Sequence, residues 1–414
     1  MEIRRYLAAV AGMMILSQTA MAGTVDQSLR PQMRSGDTAE AVIIVAGDPA
    51  QVSSKNMGFQ RWLQGFRKRA HAKGISDRTL DRAFRGVRYN ADVIQKDRNQ
   101  SEFTKTLWEY LDSAASDTRV KNGKKALRQH SRTLRAIEAK YGVDKEVVAA
   151  VWGLESAYGS YRGSINVIEA LAKLAYDGRR GRFFEAQLIA ALKILQSGDT
   201  SPHNMTGSWA GAMGHTQFIP TSYQAFAVDF TGDGRRDIWS DDPSDALAST
   251  AAYLARHGWI KGQPWGIEVQ LPSRFNYELA NRKIKKMPSE WARMGVTDMN
   301  GRPVRDAFLI FKNFSVIERY NTADAYVIGV GHLSDRLKGG PKIKSKWPRG
   351  DRALTFAERK EMQKLLTKRG FDTKGVDGKI GPLTIQALRG YQRTIGMQPD
   401  GYSSLNTLQR LRRN

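Results

Sequence analysis

The sequence predicts a mainly α-helical protein that ends in a small helical module. Apolar residues recur at helical spacing over 145–158, and the same 3.6-residue period returns over 183–195. Short Gly-containing connectors separate further helical patterns up to about Gln196, and strand-like sequence is confined to small stretches such as 265–271. At 414 residues the chain is long enough for two or three domains.

The amino-acid composition indicates which classes of molecule the protein is suited to bind. The net charge is +24, the pI is near 10.1, and 41% of the residues are apolar. Such a charge suits an anionic polymer or surface, although Lys and Arg spread over solvated faces for solubility explain much of it. The sequence has no zinc-finger spacing, no ribonucleoprotein signature and no block of clustered Lys and Arg. We therefore expect no nucleic-acid partner.

The first residues predict export. Arg4 and Arg5 precede an apolar run over 6–16, and small residues at 20–22 precede Gly23, which is the order of a cleavable signal peptide. The apolar run is short for a membrane span, and the chain has no Cys to carry a lipid. We expect cleavage near Ala22, a periplasmic location and no stable membrane anchor, with an uncleaved amphipathic anchor as the alternative. Residues 23–56 lack helical periodicity and are interpreted as a leader or linker.

The helix predicted over 145–158 carries one acidic residue on an apolar face. Asp144 supplies a candidate N-cap oxygen, and Gly159 is suited to end the helix. The residues that share the face of Glu155 are Val148, Val151, Trp152 and Tyr158. Burial and the carboxyl end of the helix dipole both disfavour an anion there, so a general acid is expected. The alternative is that Glu155 lies at the edge of this face and is solvated or paired with an Arg.

Two further segments are candidates for binding. Three Gly and two Ala fall within 207–214, so the backbone there approaches another group closely, and Gln217 follows with a polar amide. Such side chains bind sugar hydroxyls, or they satisfy buried backbone groups. The basic cluster 179–182 suits an anionic or carbohydrate substrate, with a solvated helix flank as the alternative.

An acidic loop resembles the first half of an EF-hand. Oxygen-bearing residues occupy its positions 1, 3, 5 and 9, Gly234 is at position 6, and the backbone carbonyl of Arg235 is at position 7. The candidate ligands are Asp229, Thr231, Asp233, Arg235 and Asp237. Position 12 is Ser240, where a bidentate Glu is expected. The loop therefore predicts either a structural calcium or similar cation, or a metal-free Asx-rich turn.

The remaining chain predicts more helices and a second module. A capped helix is expected over 245–257, and Tyr320-Asn321 opens another that carries Tyr326. Gly339-Gly340-Pro341 marks a linker. Beyond about residue 350, Asp-Gly turns at 377–378 and 400–401 surround a helix that starts at Pro382.

Taken together, these motifs resemble a known family. Trp152-Gly153-Leu154-Glu155, Arg179-Arg180, the Gly-rich segment with Gln217-Phe218, the acidic loop and Tyr320-Asn321 look like the membrane-bound lytic transglycosylase B family of lytic murein transglycosylases. The tail is similar to a three-helix peptidoglycan-binding module. On this resemblance the catalytic domain spans 57–345, a linker spans 346–351, and the peptidoglycan-binding domain spans 352–414.

The resemblance implies a lysozyme-like catalytic domain. Such enzymes cleave the bond between N-acetylmuramic acid and N-acetylglucosamine and leave a 1,6-anhydromuramyl end. Glu155 would be acid and then base, and the acidic loop would hold a cation that the chemistry does not require. The implied substrate-binding residues are Ser208, Gln217, Tyr320, Asn321 and Tyr326, with Arg179 and Arg180 on the stem peptide or lactyl carboxylate. His215 and Thr216 differ from common family residues.

The number of carboxylates distinguishes the competing functions. A retaining or inverting glycosidase needs two, and the apolar and Gly-rich motifs contain no second acid beside Glu155. This favours internal attack by the muramyl 6-hydroxyl over hydrolysis by a muramidase. A non-catalytic wall-binding scaffold is the third alternative. The expected partner is the glycan strand of peptidoglycan, with cell-wall enzymes as further candidate partners.

Overall fold

The structure is a computed structural model that describes residues 49–89, 91–98, 105–272, 274–280, 284, 286, 288–298, 307–344 and 347–413. The predicted signal peptide and most of the predicted leader lie outside these residues, so both stay predictions. Among the helices in these ranges, none has the length and apolar character needed to cross a membrane.

Between residues 49 and 256, the described part of the chain is mainly helical. Its first helices are α1 (Pro49–His71), α2 (Asp77–Ala83), α3 (Asp92–Arg98), α4 (Leu107–Ala114), α5 (Asp117–Gln129), α6 (Ser131–Tyr141) and α7 (Lys145–Ser156). They are followed by β1 (Ile165–Asn166), α8 (Val167–Asp177), α9 (Gly181–Ser197), β2 (Thr206–Gly207), α10 (Pro220–Phe226) and α11 (Ser244–Arg256). Strands β1 and β2 pair antiparallel, with Ile165 opposite Gly207.

A small sheet interrupts the helices. It contains β3 (Gly266–Gln270), β4 (Thr297–Asp298) and β5 (Ala307–Ile310), and α12 (Pro288–Arg293) lies between β3 and β4 in the chain. Strand β3 is central and pairs antiparallel with both neighbours. The chain continues through α13 (Lys312–Tyr320), α14 (Asp324–Leu337), α15 (Phe356–Lys368), α16 (Pro382–Thr394) and α17 (Leu405–Arg413).

Helix α7 is the centre of the large hydrophobic core. Residues 147–151 are all fully buried, because every face of the helix packs against a neighbour, including α5, α6, α11 and α14. Small residues permit this close packing: a Cβ on Gly153 would lie 2.6 Å from the ring of Tyr158. The last turn of this buried helix carries Glu155.

Both ends of α7 differ from the prediction. Asp144 makes no side-chain cap bond; its carboxylate instead accepts hydrogen bonds from the indole of Trp259 at 2.9 Å and from Lys338 at 3.2 Å. The helix ends at Ser156, because Ala157 and Tyr158 adopt left-handed φ values of 48° and 60°. The predicted continuation of the helix to Tyr158 is therefore wrong.

Two other predicted boundaries need correction. Helix α1 begins at Pro49, ten residues before the pattern visible in the sequence, so part of the predicted leader is helical. Tyr320 ends α13 and does not open a helix; Asn321 is extended, with φ −152°, and α14 begins at Asp324. The helix predicted over 245–257 is confirmed as α11, and the carboxylate of Asp245 on its first turn accepts hydrogen bonds from the acidic loop.

The carboxyl-terminal helices α15 to α17 have a core of their own. It includes Met362, Leu366, Leu388 and Leu408. Helix α16 starts at Pro382 as predicted. The two predicted turns are built alike: Gln363 accepts from Gly378 N–H and donates to Asp377, and Gln392 does the same at Gly401 and Asp400. A buried glutamine thus holds each Asp-Gly turn on the module's core.

Candidate active site

Glu155 and Tyr326 meet between helices α7 and α14. Glu155 is half-buried on the last turn of α7, and Tyr326 is 3% exposed on the first turn of α14. The phenol of Tyr326 donates a 2.6 Å hydrogen bond to Glu155 Oε1. The carboxyl group is therefore held in one orientation by a neutral donor, with part of its surface accessible.

Replacing Tyr326 with Phe tests this contact. We expect kcat to fall roughly 10- to 100-fold, because one charge-assisted hydrogen bond worth about 1.5–3 kcal/mol is lost while the ring remains. The measurement is the rate of release of soluble fragments from purified peptidoglycan. Tyr161→Phe is the control, because Tyr161 is 63% exposed. An unchanged rate in Tyr326→Phe would show that the contact does not orient the acid.

The Gly-rich segment forms a compact turn beside the end of α7. Ser208 Oγ accepts from the Ala212 N–H at 3.1 Å, and Gln217 has a left-handed φ of 52°. The amide nitrogen of Gln217 donates to the carbonyls of Gly214 (2.8 Å) and Arg162 (3.0 Å). The amide nitrogen of Gln217 therefore satisfies backbone groups, which was the alternative to sugar binding. Its Oε1 is left to accept a hydrogen bond from a ligand.

The junction between α13 and α14 completes the site. Tyr320 is 3% exposed, and its hydroxyl donates to the Thr216 carbonyl at 2.5 Å. Asn321 Oδ1 accepts from the Ala323 N–H at 3.1 Å and so caps the chain before α14. These bonds bring the third predicted motif to the Gly-rich segment, while Tyr326 reaches Glu155. Among the predicted residues, the structure thus pairs Tyr326 with Glu155 and joins Tyr320 to the turn that carries Gln217. The bonds of Ser208 and Asn321 described above are local to their own segments.

The structural role of His215 was not predicted from the sequence. It is buried, and its Nδ1 accepts from the indole N–H of Trp152 at 3.1 Å. The ring proton therefore lies on Nε2, which is 2.7 Å from the Ser240 carbonyl that it donates to. Burial lowers the pKa of His215, in agreement with a neutral ring. Ser156 also donates to the His215 carbonyl at 2.5 Å, so this residue fastens the end of α7 to the acidic loop.

The two predicted substrate-binding arginines lie at the start of α9. Arg180 and Arg179 both pair with Asp97, a buried acid on α3, and the Arg179 contact is 3.5 Å long. Arg180 also covers the ring of Phe184, 4.8 Å from its centroid. The pair therefore holds α3 against the α8–α9 turn. The Arg179 side chain remains 46% exposed.

The acidic loop brings two of the predicted metal ligands, Asp229 and Asp233, close to a third carboxylate from outside the loop. Carboxylate oxygens of Asp229, Asp233 and Asp245 lie within 4.8 Å of one another. Asp245, on α11, was missed because it lies beyond the twelve-residue pattern. Asp237 instead accepts from the N–H groups of Trp239 (2.8 Å) and Ser240 (3.1 Å).

Hydrogen bonds from within the loop hold two of these carboxylates in place. Thr231 donates to Asp229 Oδ1 at 3.3 Å, and Arg235 donates its N–H to Asp233 Oδ1 at 2.9 Å. Burial, with a further contribution from Asp229, raises the pKa of Asp245. Three carboxylates this close to one another suit calcium, which binds oxygen ligands.

Calcium addition tests this loop. We expect calcium at 100 times its Kd to stabilise the protein by about 2.7 kcal/mol, and a chelator to remove that gain. The measurement is Tm by calorimetry with and without calcium. Asp233→Ala should abolish the response, whereas Asp242→Ala, a neighbouring acid outside the cluster, should keep it. Equal responses in both variants, or no response in the wild type, would contradict a calcium site here.

Known proteins resemble this chain in sequence and in structure. Residues 58–335 match the sequence profile of the family described as Transglycosylase SLT domain, and residues 357–411 match that of the peptidoglycan binding domain. The chain is 32% identical over 238 residues to the membrane-bound lytic murein transglycosylase B of Escherichia coli (strain K12). That match covers 53% of this chain and 63% of the relative, so it spans less than two thirds of that protein.

Two solved structures extend the comparison. The crystal structure of SltB3 from Pseudomonas aeruginosa in complex with NAG-anhNAM-pentapeptide is 48% identical, with a TM-score of 0.82, and the match covers 86% of this chain and 99% of that one. The Escherichia coli lytic transglycosylase Slt35 in complex with calcium is 28% identical, with a TM-score of 0.56, over 68% of this chain and 93% of that one.

These matches confirm the fold class and the family that the motifs predict: a mainly α, lysozyme-like domain followed by a small helical module. The chain belongs to the Transglycosylase SLT domain family, the family of the lytic transglycosylases, and it carries a peptidoglycan binding domain at its carboxyl end.

Proposed function

We propose that the protein is a lytic murein transglycosylase that cleaves the β-1,4 bond between N-acetylmuramic acid and N-acetylglucosamine and forms 1,6-anhydromuramyl ends. The observation that carries this proposal is the hydrogen bond between Tyr326 and Glu155, at the meeting point of the three motifs. An acid on a rigid buried helix, fixed by a neutral donor, is suited to donate and then recover one proton.

In the proposed reaction one carboxyl group performs both proton transfers. Glu155 gives its proton to the glycosidic oxygen as the bond from that oxygen to muramyl C1 breaks. The muramyl 6-hydroxyl then attacks C1, and Glu155 takes up the proton that this hydroxyl loses. One C–O bond is broken and one is formed, no water is consumed, and Glu155 ends protonated as it began.

The surrounding residues are assigned roles from their contacts. Tyr326 orients Glu155, and Gln217 offers its amide oxygen to a sugar hydroxyl, since its nitrogen is held by backbone carbonyls. Ser208 and Asn321 are assigned to substrate binding from their place in the motifs, and the buried Tyr320 positions the Gln217 turn through its bond to the Thr216 carbonyl.

The predicted role of the two arginines also stays a proposal. Arg179 and Arg180 would meet the stem peptide or the lactyl carboxylate. The exposed part of Arg179 favours this role more than the buried part of Arg180, which Asp97 holds.

Solved relatives support the substrate class. SltB3 of Pseudomonas aeruginosa has been crystallised with NAG-NAM-pentapeptide and with NAG-anhNAM-pentapeptide. A chain 48% identical to it is proposed to act on the same glycan. The carboxyl-terminal module is proposed to hold the enzyme on peptidoglycan, and a calcium ion at Asp229, Asp233 and Asp245 would serve structure and not chemistry.

The remaining organisation is proposed from the sequence. Export with cleavage near Ala22 would place the enzyme in the periplasm, where its substrate lies. The domain boundaries at 57, 345 and 352 and partnership with other cell-wall enzymes are likewise proposals. The profile matches at 58–335 and 357–411 support the division into two domains.

Analysis of the products tests the reaction. Purified peptidoglycan digested by the wild-type protein should release disaccharide peptides that are lighter by one water than those from a muramidase digest. Mass spectrometry, with borohydride reduction as the check for free reducing ends, distinguishes the two products. Reducible muramic acid ends would establish hydrolysis instead, and no release at all would favour the non-catalytic scaffold.

A further inference from the structure

Arg119, on the first turn of α5, is a half-buried cation. Among the residues that the structure describes, no carboxylate pairs with its guanidinium, and burial lowers its pKa. Two partly buried arginines elsewhere do have a counter-ion: Arg180 pairs with Asp97, and Arg236 pairs with Asp199 at 2.6 Å. A desolvated charge without a counter-ion is costly, so its presence beside an open cavity points to an anionic ligand.

Arg119 lines such a cavity. The space has a volume of about 190 Å³ and is bounded by Ser116, Thr118, Arg119, Asn122, Ala157 and Tyr158. It adjoins a second cavity of about 380 Å³, and the two share Asn122, Ala157 and Tyr158. We call the two together the Arg119 groove. The hydroxyl and amide donors around the guanidinium suit the oxygens of a carboxylate.

Within the described part of the chain, the charged side chains of the groove that have no counter-ion are all positive. Lys125 is exposed and lines the larger cavity. The acid there, Asp241, is paired with Arg162 at 2.7 Å. The unpaired charges that remain are therefore positive, which favours an anion over a cation or a neutral sugar.

The position of the groove connects it with the proposed reaction. Ala157 and Tyr158 follow Glu155 by two and three residues, so the wall of the groove begins within about 10 Å of the acid along the chain. An extended pentapeptide spans about 16 Å. A peptide attached to the sugar at Glu155 can therefore reach Arg119.

We propose that the Arg119 groove binds a carboxylate of the peptide carried by the glycan strand. This inference rests on the proposed function, because it takes peptidoglycan as the substrate. It assigns to Arg119 a role in recognising the peptide, separate from the residues that contact the sugar.

Binding to a protein that cannot cleave tests the proposal. In a Glu155→Gln background, the Kd for NAG-NAM-pentapeptide is compared with the Kd for peptide-free NAG-NAM by calorimetry. Arg119→Gln should weaken binding of the pentapeptide compound about tenfold, the loss expected for one charge-assisted contact, and leave the peptide-free compound unchanged. Lys121→Gln is the matched control, because it removes one charge from an exposed position on the same helix outside both cavities.

A compound with an amidated peptide terminus identifies the carboxylate. A tenfold loss with this compound assigns the terminal carboxylate, and full affinity assigns another carboxylate of the same peptide; both support the groove. Equal losses for the peptide-free and pentapeptide compounds, or no loss for either, would overturn it. This result does not depend on the reaction product, so a hydrolytic product would remove the proposed reaction and leave the binding measurement intact.

Stability provides a second readout. The hydrogen bond from Tyr158 to position 119 uses the backbone carbonyl, at 3.0 Å, and survives the substitution. Removing a desolvated, unpaired charge should leave Tm unchanged or higher. A lower Tm in Arg119→Gln together with equal loss of both ligands would show a structural role only.

Discussion

Glu155→Gln should abolish cleavage of peptidoglycan while the protein still binds it. We expect the rate to fall by at least about 10³-fold, because an amide can neither donate a proton to the leaving oxygen nor take one from the attacking hydroxyl. The amide oxygen can still accept the hydrogen bond from Tyr326, so the fold and the position of the side chain should persist. The measurements are the release of anhydromuropeptides and the sedimentation of the protein with intact peptidoglycan.

Glu146→Gln is the matched control for this variant. Glu146 lies on the first turn of the same helix and pairs with Lys145 at 3.0 Å, at the opposite end of α7 from Glu155. Its substitution should leave the rate within about twofold, since Glu146 lies at the other end of α7 and takes no part in the chemistry. Undiminished release by Glu155→Gln would remove Glu155 from the mechanism.

Gly214→Ala should unfold the Gly-rich segment. A Cβ at this position would lie 2.2 Å from the Ile238 carbonyl oxygen, and the φ of 68° is unfavourable for any residue with a side chain. We expect a loss of about 3 kcal/mol or more, seen as a Tm lower by roughly 5–10 °C, and loss of activity because Gln217 depends on this turn.

Gly198→Ala separates the two causes of that loss. Gly198, at the end of α9, has a similar φ of 85°, but a Cβ there would meet no atom within 4 Å, so only the backbone strain of about 1 kcal/mol should appear. If both alanine variants lose the same stability, close packing against Ile238 does not determine the residue at 214.

Much of the fold and of the candidate site could be predicted from local sequence patterns. The apolar period over 183–195 predicts α9, and Pro382 predicts the start of α16, because both signals depend on neighbours in sequence. The Gly-rich segment was also recognisable, since close backbone approach requires glycine wherever its partner lies.

Contacts between distant segments could not be read in the same way. Nothing near Asp245 in the sequence shows that its carboxylate accepts from the N–H groups of Phe230 and Thr231. Likewise, the sequence shows His215 only as an unusual residue for the family, because its structural role depends on hydrogen bonds with Trp152 and Ser240, which are distant in sequence. The left-handed turn after Ser156 was missed because the local sequence is misleading there. Ala157 favours a continuing helix and Tyr158 does not oppose one, so neither residue indicates the turn.

The bond between Tyr326 and Glu155 joins residues 171 positions apart. A chain that emerges from its amino terminus therefore contains the acid long before it contains the residue that orients it. Helix α7, buried on every face, also lacks its α14 neighbour until then. During synthesis or export the site around Glu155 should therefore stay incomplete until α14 has followed α7, so that cleavage awaits the folding of both helices.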